Sequence, residues 1–474
     1  LVRDRLYLVE GTPGTGKTTL ALQFLLDGAR HGETGLYVTL SETAEELHAV
    51  ALSHGWSLDT ITLFELVAGE ASVLPEQELT LLHPWEMELG ETTRRVFDRA
   101  EALQPARIVL DSLSELRLLA QDPLRYRRQI LALKQFFAGR RCTVLLLDDR
   151  TDQDLQLHSV AHGVITLEQQ ALRFGAEHRR LRVLKMRGMQ YRGGWHDFVI
   201  RPGGLVVFPR LVAAEHHSEF AGEPVASGVA GLDALLGGGP LRGTTTLLLG
   251  PAGAGKSSIA LQYVLAAAER GERASFYMFD ERLGTLMTRA TKLGLDLRPH
   301  LEAGLVTLEQ VDPAELTAGE FACRVRAQVE TRGARLLVID SLNGYLNAMP
   351  EQQALFLQMH ELLSYLNQQG VATFVIMAQH GLIGQMQTTV DVSYLSDVVL
   401  LLRFFEAEGR IRKAISVLKN RGGAHEDTIR ELRFGPHGID LGPPLIGFRG
   451  ILTGTPAHLG PGEPLLRDEA GGGR

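Results

Sequence analysis

The chain has 474 residues, 45% hydrophobic and 22% charged, which excludes a mostly disordered protein. Length alone allows about three domains. With 48 Lys and Arg against 56 Asp and Glu the net charge is −8, which argues against a protein that coats nucleic acid by charge, though a local basic channel is compatible with it.

In chain order, the first segment, Leu6 to Glu10, is a short apolar stretch that predicts a core strand. It runs into GTPGTGKT, residues 11–18, and then into a helix from Lys17 that the glycine at 32 should stop. GLYVTL predicts the next strand, and Glu42 to His54 a helix with Leu47, Val50 and Ala51 on one face. RIVLDS and TVLLLD read as further buried strands, whose unbroken apolar character suits a parallel sheet covered on both faces. After a stretch near 210–227 without a clean period, the scheme repeats: GPAGAGKS at 250–257, then TTLLLG, ASFYMF, RLLVID and VATFVIM as strands.

The repeat is internal duplication. KTTLALQFLLDGARHGE parallels KSSIALQYVLAAAERGE, RIVLDSLSEL parallels RLLVIDSLNGY, and VLKMRG parallels VLKNRG. The spacing holds at about 230–240 residues, so two copies of one domain are expected rather than a solenoid. SGVAGLDALLGGGPLRGTTTLLLG leads into the second copy, and the start at Leu1 leaves no counterpart before the first. A lead-in of about twenty residues is therefore expected to be missing there. The expected organisation is a first domain over 1–212, a linker over 213–226, a second domain over 227–448, and a Gly/Pro-rich tail over 449–474. The tail is expected to dock through LIGFRGI and then fray.

Cys142 and Cys323 are too few for a disulfide framework and read as small buried residues in a reducing, cytoplasmic setting. No apolar run approaches the length of a membrane span. The histidines show no metal-ligand spacing, and the His196 region, GWHDF, parallels GAHED in the second copy and reads as structural.

Each G-x-x-x-x-G-K-[ST] stretch has a physical reason at every fixed position. The glycines let the backbone wrap a phosphate, the helix N-terminus adds its positive end, and the lysine neutralises the outer phosphates. Candidate nucleotide-binding residues are Gly11, Thr12, Pro13, Gly14, Thr15, Gly16, Lys17, Thr18 and Thr19 in the first copy. Those of the second are Gly250, Pro251, Ala252, Gly253, Ala254, Gly255, Lys256, Ser257 and Ser258. ATP is the expected ligand, with Mg²⁺ held by Thr18 and Asp111 and by Ser257 and Asp340, each aspartate closing a buried strand. Hydrolysis needs a carboxylate to orient the attacking water. Glu42, Asp280 and Glu281 stand where a parallel sheet opens at its carboxyl edge. The competing expectation is that Ser41 or Asp280 simply caps the following helix.

With both loops, the SGVAGLDALLGGG lead-in, the acidic strand ends and the paired KxRG turns in place, the chain resembles the KaiC-type proteins, tandem RecA-like ATPases. The likeness extends to SDVVLLLRFFEAEGRIRKAISVLKNRGGAHEDTIREL and GILTGTP. It implies an α/β fold of two tandem RecA-like P-loop domains, each a mostly parallel sheet flanked by helices. It also implies a two-tiered homohexamer with ATP between subunits. Lys185, Arg187, Lys419 and Arg421 match residues that reach a neighbour's γ-phosphate in that family. Two departures stand out. The paired glutamates of the family are Ser41-Glu42 in one copy and Asp280-Glu281 in the other, and the adjacent Ser-Thr phosphorylated in clock proteins is Ser393-Tyr394. The resemblance thus implies a regulatory ATPase ring with an unidentified regulatory protein partner and with Ser393 as its candidate autophosphorylation site; the loss of the Thr argues against a two-site cycle, and an ordinary loop hydroxyl at Ser393 is the competing reading. A DNA-dependent recombination ATPase and a nucleotide-gated scaffold with little catalysis stay open beside it.

Overall fold

The computed structural model describes residues 1–66, 84–149, 155–171, 175–347, 352–379, 393–452 and 456–458. The chain divides into two compact units, Leu1–Arg210 and Leu211–Arg474.

In the first unit the strands are β1 (Leu6–Gly11), β2 (Gly35–Thr39), β3 (Ile61–Glu65), β4 (Arg107–Asp111), β5 (Thr143–Asp149), β6 (Gly163–Gln170), β7 (His178–Met186), β8 (His196–Arg201) and β9 (Gly204–Phe208). They form one sheet in the order β3-β2-β4-β5-β1-β6-β7-β8-β9. The strands up to β6 run parallel, and β7 to β9 extend the sheet antiparallel. Alternation along β1 explains its apolar run. Leu6 and Leu8 join one core with Ile108 and Val144, while Tyr7 and Val9 join the other with Ala21, Leu22 and Leu25 of the helix Lys17–Arg30. Both faces are buried, so no position can be polar without a partner. The second face of the sheet is covered by the helices Leu113–Ala120 and Pro123–Phe137, through Leu116, Tyr126 and Ile130.

The second unit repeats this plan with β10 (Thr245–Gly250), β11 (Arg273–Met278), β12 (Val306–Gln310), β13 (Ala334–Asp340), β14 (Ala372–Ala378), β15 (Val398–Ala407), β16 (Arg410–Asn420), β17 (Arg430–Gly435) and β18 (Gly438–Pro444). Their order, β12-β11-β13-β14-β10-β15-β16-β17-β18, is that of the first unit strand for strand. Leu248 faces the helix Lys256–Glu269 and Leu247 the helices on the other side. Truncating Leu248 to alanine would cost about 2–5 kcal/mol. The two RecA-like domains expected from the repeat are therefore present as two mostly parallel sheets flanked by helices.

The connecting residues are packed: Leu211 and Ala213 enter one core of the second unit and Val225 the other. Toward the C-terminus Leu445, Phe448 and Ile451 close over Phe405 and Ala414, which docks the segment LIGFRGI. The expected frayed end, 459–474, lies outside the described residues, and none of the described helices is long and apolar enough to cross a membrane.

Candidate functional site

Both Gly loops leave the central parallel strand of their sheet and enter a helix of 14 residues. The residue before each helix, Gly16 and Gly255, adopts φ +97° and +110°. A side chain there would be strained, and its Cβ would meet Ile200 Cδ1 at 2.5 Å or Phe434 Cζ at 2.2 Å. No side chain caps either helix and neither has an acidic residue in its first turn, so the loop amides at the positive end of each helix keep their hydrogen-bonding capacity on the loop side. That is the arrangement an anionic phosphate requires.

The loop lysines differ in their partners. Lys17 Nζ donates to the carbonyls of Gly11 and Thr12 at 2.7 and 3.2 Å and to Asp149 Oδ1 at 2.9 Å. Lys256 Nζ donates to the carbonyls of Gly250 and Pro251 at 2.9 and 2.7 Å. Strand register explains the difference, because Gly11 stands opposite Asp149 and Gly250 opposite Ala378. Burial pushes the Lys256 ammonium down to about 8, with Asp340 opposing.

The strand-end aspartates converge on the loops as expected. Thr18 Oγ1 lies 3.4 Å from Asp111 Oδ2, and the Ser257 hydroxyl hydrogen-bonds Asp340. In both units the peptide bond after this aspartate is cis. Burial raises the Asp111 carboxyl, opposed first by the Tyr37 hydroxyl, which donates to it at 2.5 Å, then by Lys17 and Thr18. Burial pushes Asp340 up to about 6, opposed by Ser257, Arg289 and Lys256, while Glu281 adds to the rise. No tyrosine among the described residues helps Asp340. In register Thr39 stands opposite Asp111 and Met278 opposite Asp340, so Phe276 occupies the position of Tyr37. A hydroxyl and a carboxylate whose anionic form burial disfavours make an oxygen set suited to a hard divalent cation, whose charge would restore the anion.

The acidic strand ends are not helix caps. Thr43 caps the helix Ala44–Ser53 in a reciprocal capping box with Glu46, and Arg282 precedes the helix Leu283–Lys292 without a side-chain bond. The first helix thus begins two residues later than its pattern predicts, and Ser41 and Asp280 are free of that role. Glu42 is half-buried, and its Oε2 has no hydrogen-bond partner. Burial raises its pKa, with Asp111 and Glu46 adding and Lys17 opposing. The counterparts in the second unit are engaged. Asp280 accepts from the Ser341 hydroxyl, and Glu281 pairs with Arg289 at 2.8 Å.

Lys185 and Lys419 lie off their own loops. Lys185 stands opposite Val164, itself opposite Leu8, three residues short of Gly11. Lys419 repeats this through Val399 and Leu247. Three strand residues amount to about 10 Å. Lys185 Nζ donates to the carbonyls of His158 and Ala161, and Arg187 to that of Ser159, so they serve the C-terminal end of the helix Leu155–Val160. Lys419 Nζ donates to the Ser396 carbonyl at 2.6 Å, and Arg421 is exposed. The backbone of Ser393 opens the short 3-10 turn Ser393–Leu395, while its side chain lies outside the described residues. The ring of His196 is structural, bonded to the Arg192 carbonyl and the Arg210 amide.

Several residues at these sites escaped sequence reasoning. Asp149, Tyr37 and Arg289 are unremarkable in one dimension, and only alignment of the two copies, Tyr37 on Phe276 and Val50 on Arg289, could have flagged them. Phe434 lies against Gly255, with Lys413 Nζ 4.8 Å over its ring, where the first unit has Ile200.

Comparison with known proteins agrees with this geometry. A sequence model of the family described as "ATPase: KaiC" matches residues 1–212 and again 225–445. The chain is 28% identical to the circadian clock protein KaiC2 of Synechocystis, over 96% of this chain and 81% of that protein. It is 26% identical to the circadian clock oscillator protein KaiC of Acaryochloris marina, over 96% and 88%, and 26% identical to KaiC3 of Synechocystis, over 97% and 92%. With the family's domain matched twice along nearly the whole chain, and each copy folded around its own Gly loop, the chain belongs to the KaiC family of ATPases.

Proposed function

We propose that each unit binds ATP at its Gly loop and that the first unit is the faster hydrolase. The observation that carries this reading is the unpaired Glu42 carboxylate beside Lys17 and Asp111, against Glu281 tied to Arg289. Thr18 with Asp111, and Ser257 with Asp340, would hold Mg²⁺, which screens the phosphate charge as the terminal phosphoryl group departs. The chain's own residues bind and orient. The loop amides and Lys17 fix the phosphates, and Glu42 aligns the attacking water and takes its proton. In the second unit Phe434, backed by Lys413, offers a flat stacking surface beside the loop for the nucleotide base.

The reading extends to a homohexameric regulatory ring, with Lys185, Arg187, Lys419 and Arg421 acting on a neighbour's nucleotide. Their distance from their own loops supports this. It assigns the acceptor hydroxyl of an autokinase reaction to Ser393. Titration with ATP and Mg²⁺ should saturate at two nucleotides per chain, and light scattering should show a hexamer with nucleotide and smaller species without. A monomer in both conditions removes the ring. Mass spectrometry after incubation with ATP, comparing wild type with Ser393→Ala, decides the kinase part, and no phosphate at that position leaves an ATPase alone. Turnover that rises with single-stranded DNA and falls steeply with salt would favour the recombination reading instead.

A further inference from the structure

Among the described residues of the second unit, one buried cation has no counter-charge. Arg403, on β15, is 9% exposed, and its Nε and Nη1 have no hydrogen-bond partner. Burial pushes its pKa down, and no charged group among the described residues opposes that. Arg412 on the neighbouring strand shows the usual solution. It too is covered, but it donates to Glu431 and to Glu408 at 2.7 Å each. An unpaired buried guanidinium is costly, and such groups call for an explanation.

Strand register locates it. Leu249 stands opposite Leu401, so Pro251 of the Gly loop is level with Arg403. On the other flank Gly250 stands opposite Ala378, and the Gln379 N–H donates to the Gly250 carbonyl at 3.0 Å, so Gln379 is level with Pro251 as well. Alternation gives the face. Leu400 and Leu402 pack toward the helix Lys256–Glu269, and Val399 and Phe405 toward the opposite face. Arg403 goes with the latter pair. Met377 also packs there, and Gln379 follows it by two residues, its Oε1 buried without a partner. A guanidinium and an amide with unused hydrogen-bonding capacity thus flank the Gly loop, on strands about 10 Å apart.

We propose that Arg403 is the cation of a phosphoryl-binding position beside the second Gly loop, with Gln379 as its neutral partner. This rests on ATP binding at that loop and adds the residue that distinguishes a terminal phosphoryl group. Phosphate suits the position: its oxygens match the guanidinium fork, and its charge supplies what the fold withholds. The group has two sources, the γ-phosphate of bound ATP and inorganic phosphate after cleavage. The first unit has no equivalent. One step past the leucine whose carbonyl abuts the first loop glycine, Leu167 there and Leu402 here, it carries Glu168, already paired with Arg180 at 3.0 Å.

The test uses the full chain with Lys17→Ala to silence the first loop, in Mg²⁺, titrated with ADP, a non-hydrolysable ATP analogue or inorganic phosphate. Arg403→Met should weaken analogue binding about tenfold or more and leave ADP within about twofold. Arg403→Lys should recover part of the loss. Without ligand, Arg403→Met should melt no lower than its parent, because a buried unpaired charge has gone. Phosphate binding lost in Arg403→Met, with analogue affinity unchanged, supports the position and assigns it to released phosphate. Equal losses for ADP and analogue, or no loss for any of the three ligands, overturn the proposal. So does a lower melting temperature with unchanged binding. A Lys17→Ala parent that binds neither nucleotide instead overturns the nucleotide reading of the second loop.

Discussion

In the first unit the Gly-loop lysine has a counter-ion and the candidate base does not; in the second unit the reverse holds among the described residues. Lys17 pairs with Asp149 while Glu42 keeps an unbonded oxygen. Lys256 meets only loop carbonyls among its hydrogen bonds while Glu281 is held by Arg289. The backbone cradle is the same in both, down to the positive φ before the helix. Duplication therefore preserved what wraps a phosphate and let the surrounding charges diverge. The divergence falls at strand ends beside the loops: Asp149 against Ala378, Tyr37 against Phe276, and Glu168, paired with Arg180, against Arg403.

The largest expected effect breaks the comparison at its strongest point. Glu42→Gln, in a chain whose second unit is disabled by Lys256→Ala, should slow hydrolysis about a hundredfold or more. Unchanged turnover would remove Glu42 as the base.

The next concerns pH in the second unit. Burial raises Asp340 from the ordinary carboxylate range to about 6 in the folded chain. Its contribution to the stability of the ligand-free chain is therefore fully present below the ordinary carboxylate range and lost as pH rises through about 6. Binding of Mg²⁺ and ATP needs the carboxylate, so affinity in a Lys17→Ala chain should fall about tenfold per pH unit below about 6. Arg289→Ala removes a charge that holds Asp340 down and should move that midpoint upward. Calorimetric titration across pH 5–8 checks both.

Tyr37→Phe should make the first unit resemble the second. Without the hydroxyl, Asp111 rises further, and the pH at which a Lys256→Ala chain loses Mg²⁺-dependent nucleotide binding moves upward. A midpoint unmoved by the change would mean that the hydrogen bond does not tune Asp111. The smallest effect is that of Asp149→Asn. The Lys17–Asp149 pair is partly exposed on its acidic side, so releasing the lysine should tighten ATP binding only about two- to fivefold.

What could be read in the sequence was what chain neighbours determine. The Gly loops, their helices and the strand-ending Asp111 and Asp340 follow from local pattern, because strand, loop and helix are contiguous. The apolar runs of the parallel strands were equally plain, since both faces are covered. β7, HRRLRVLKM, was not legible as a strand: only Leu181 is buried, so no apolar alternation survives. The helix start at Ala44 was misplaced because Ser41 is as good a capping residue as Thr43, and Glu46 completes the box only with the latter. Arg289 on Glu281 and Tyr37 on Asp111 join residues on separate elements, and no spacing rule reaches across a sheet.

The most direct test of two unequal sites is single-turnover ATP hydrolysis at neutral pH, comparing Lys256→Ala, which leaves the first unit working, with Lys17→Ala, which leaves the second. The account predicts that the first unit turns over about tenfold faster or more, because its glutamate has no ion pair to break before it can orient a water. Equal rates, or a faster second unit, would contradict it.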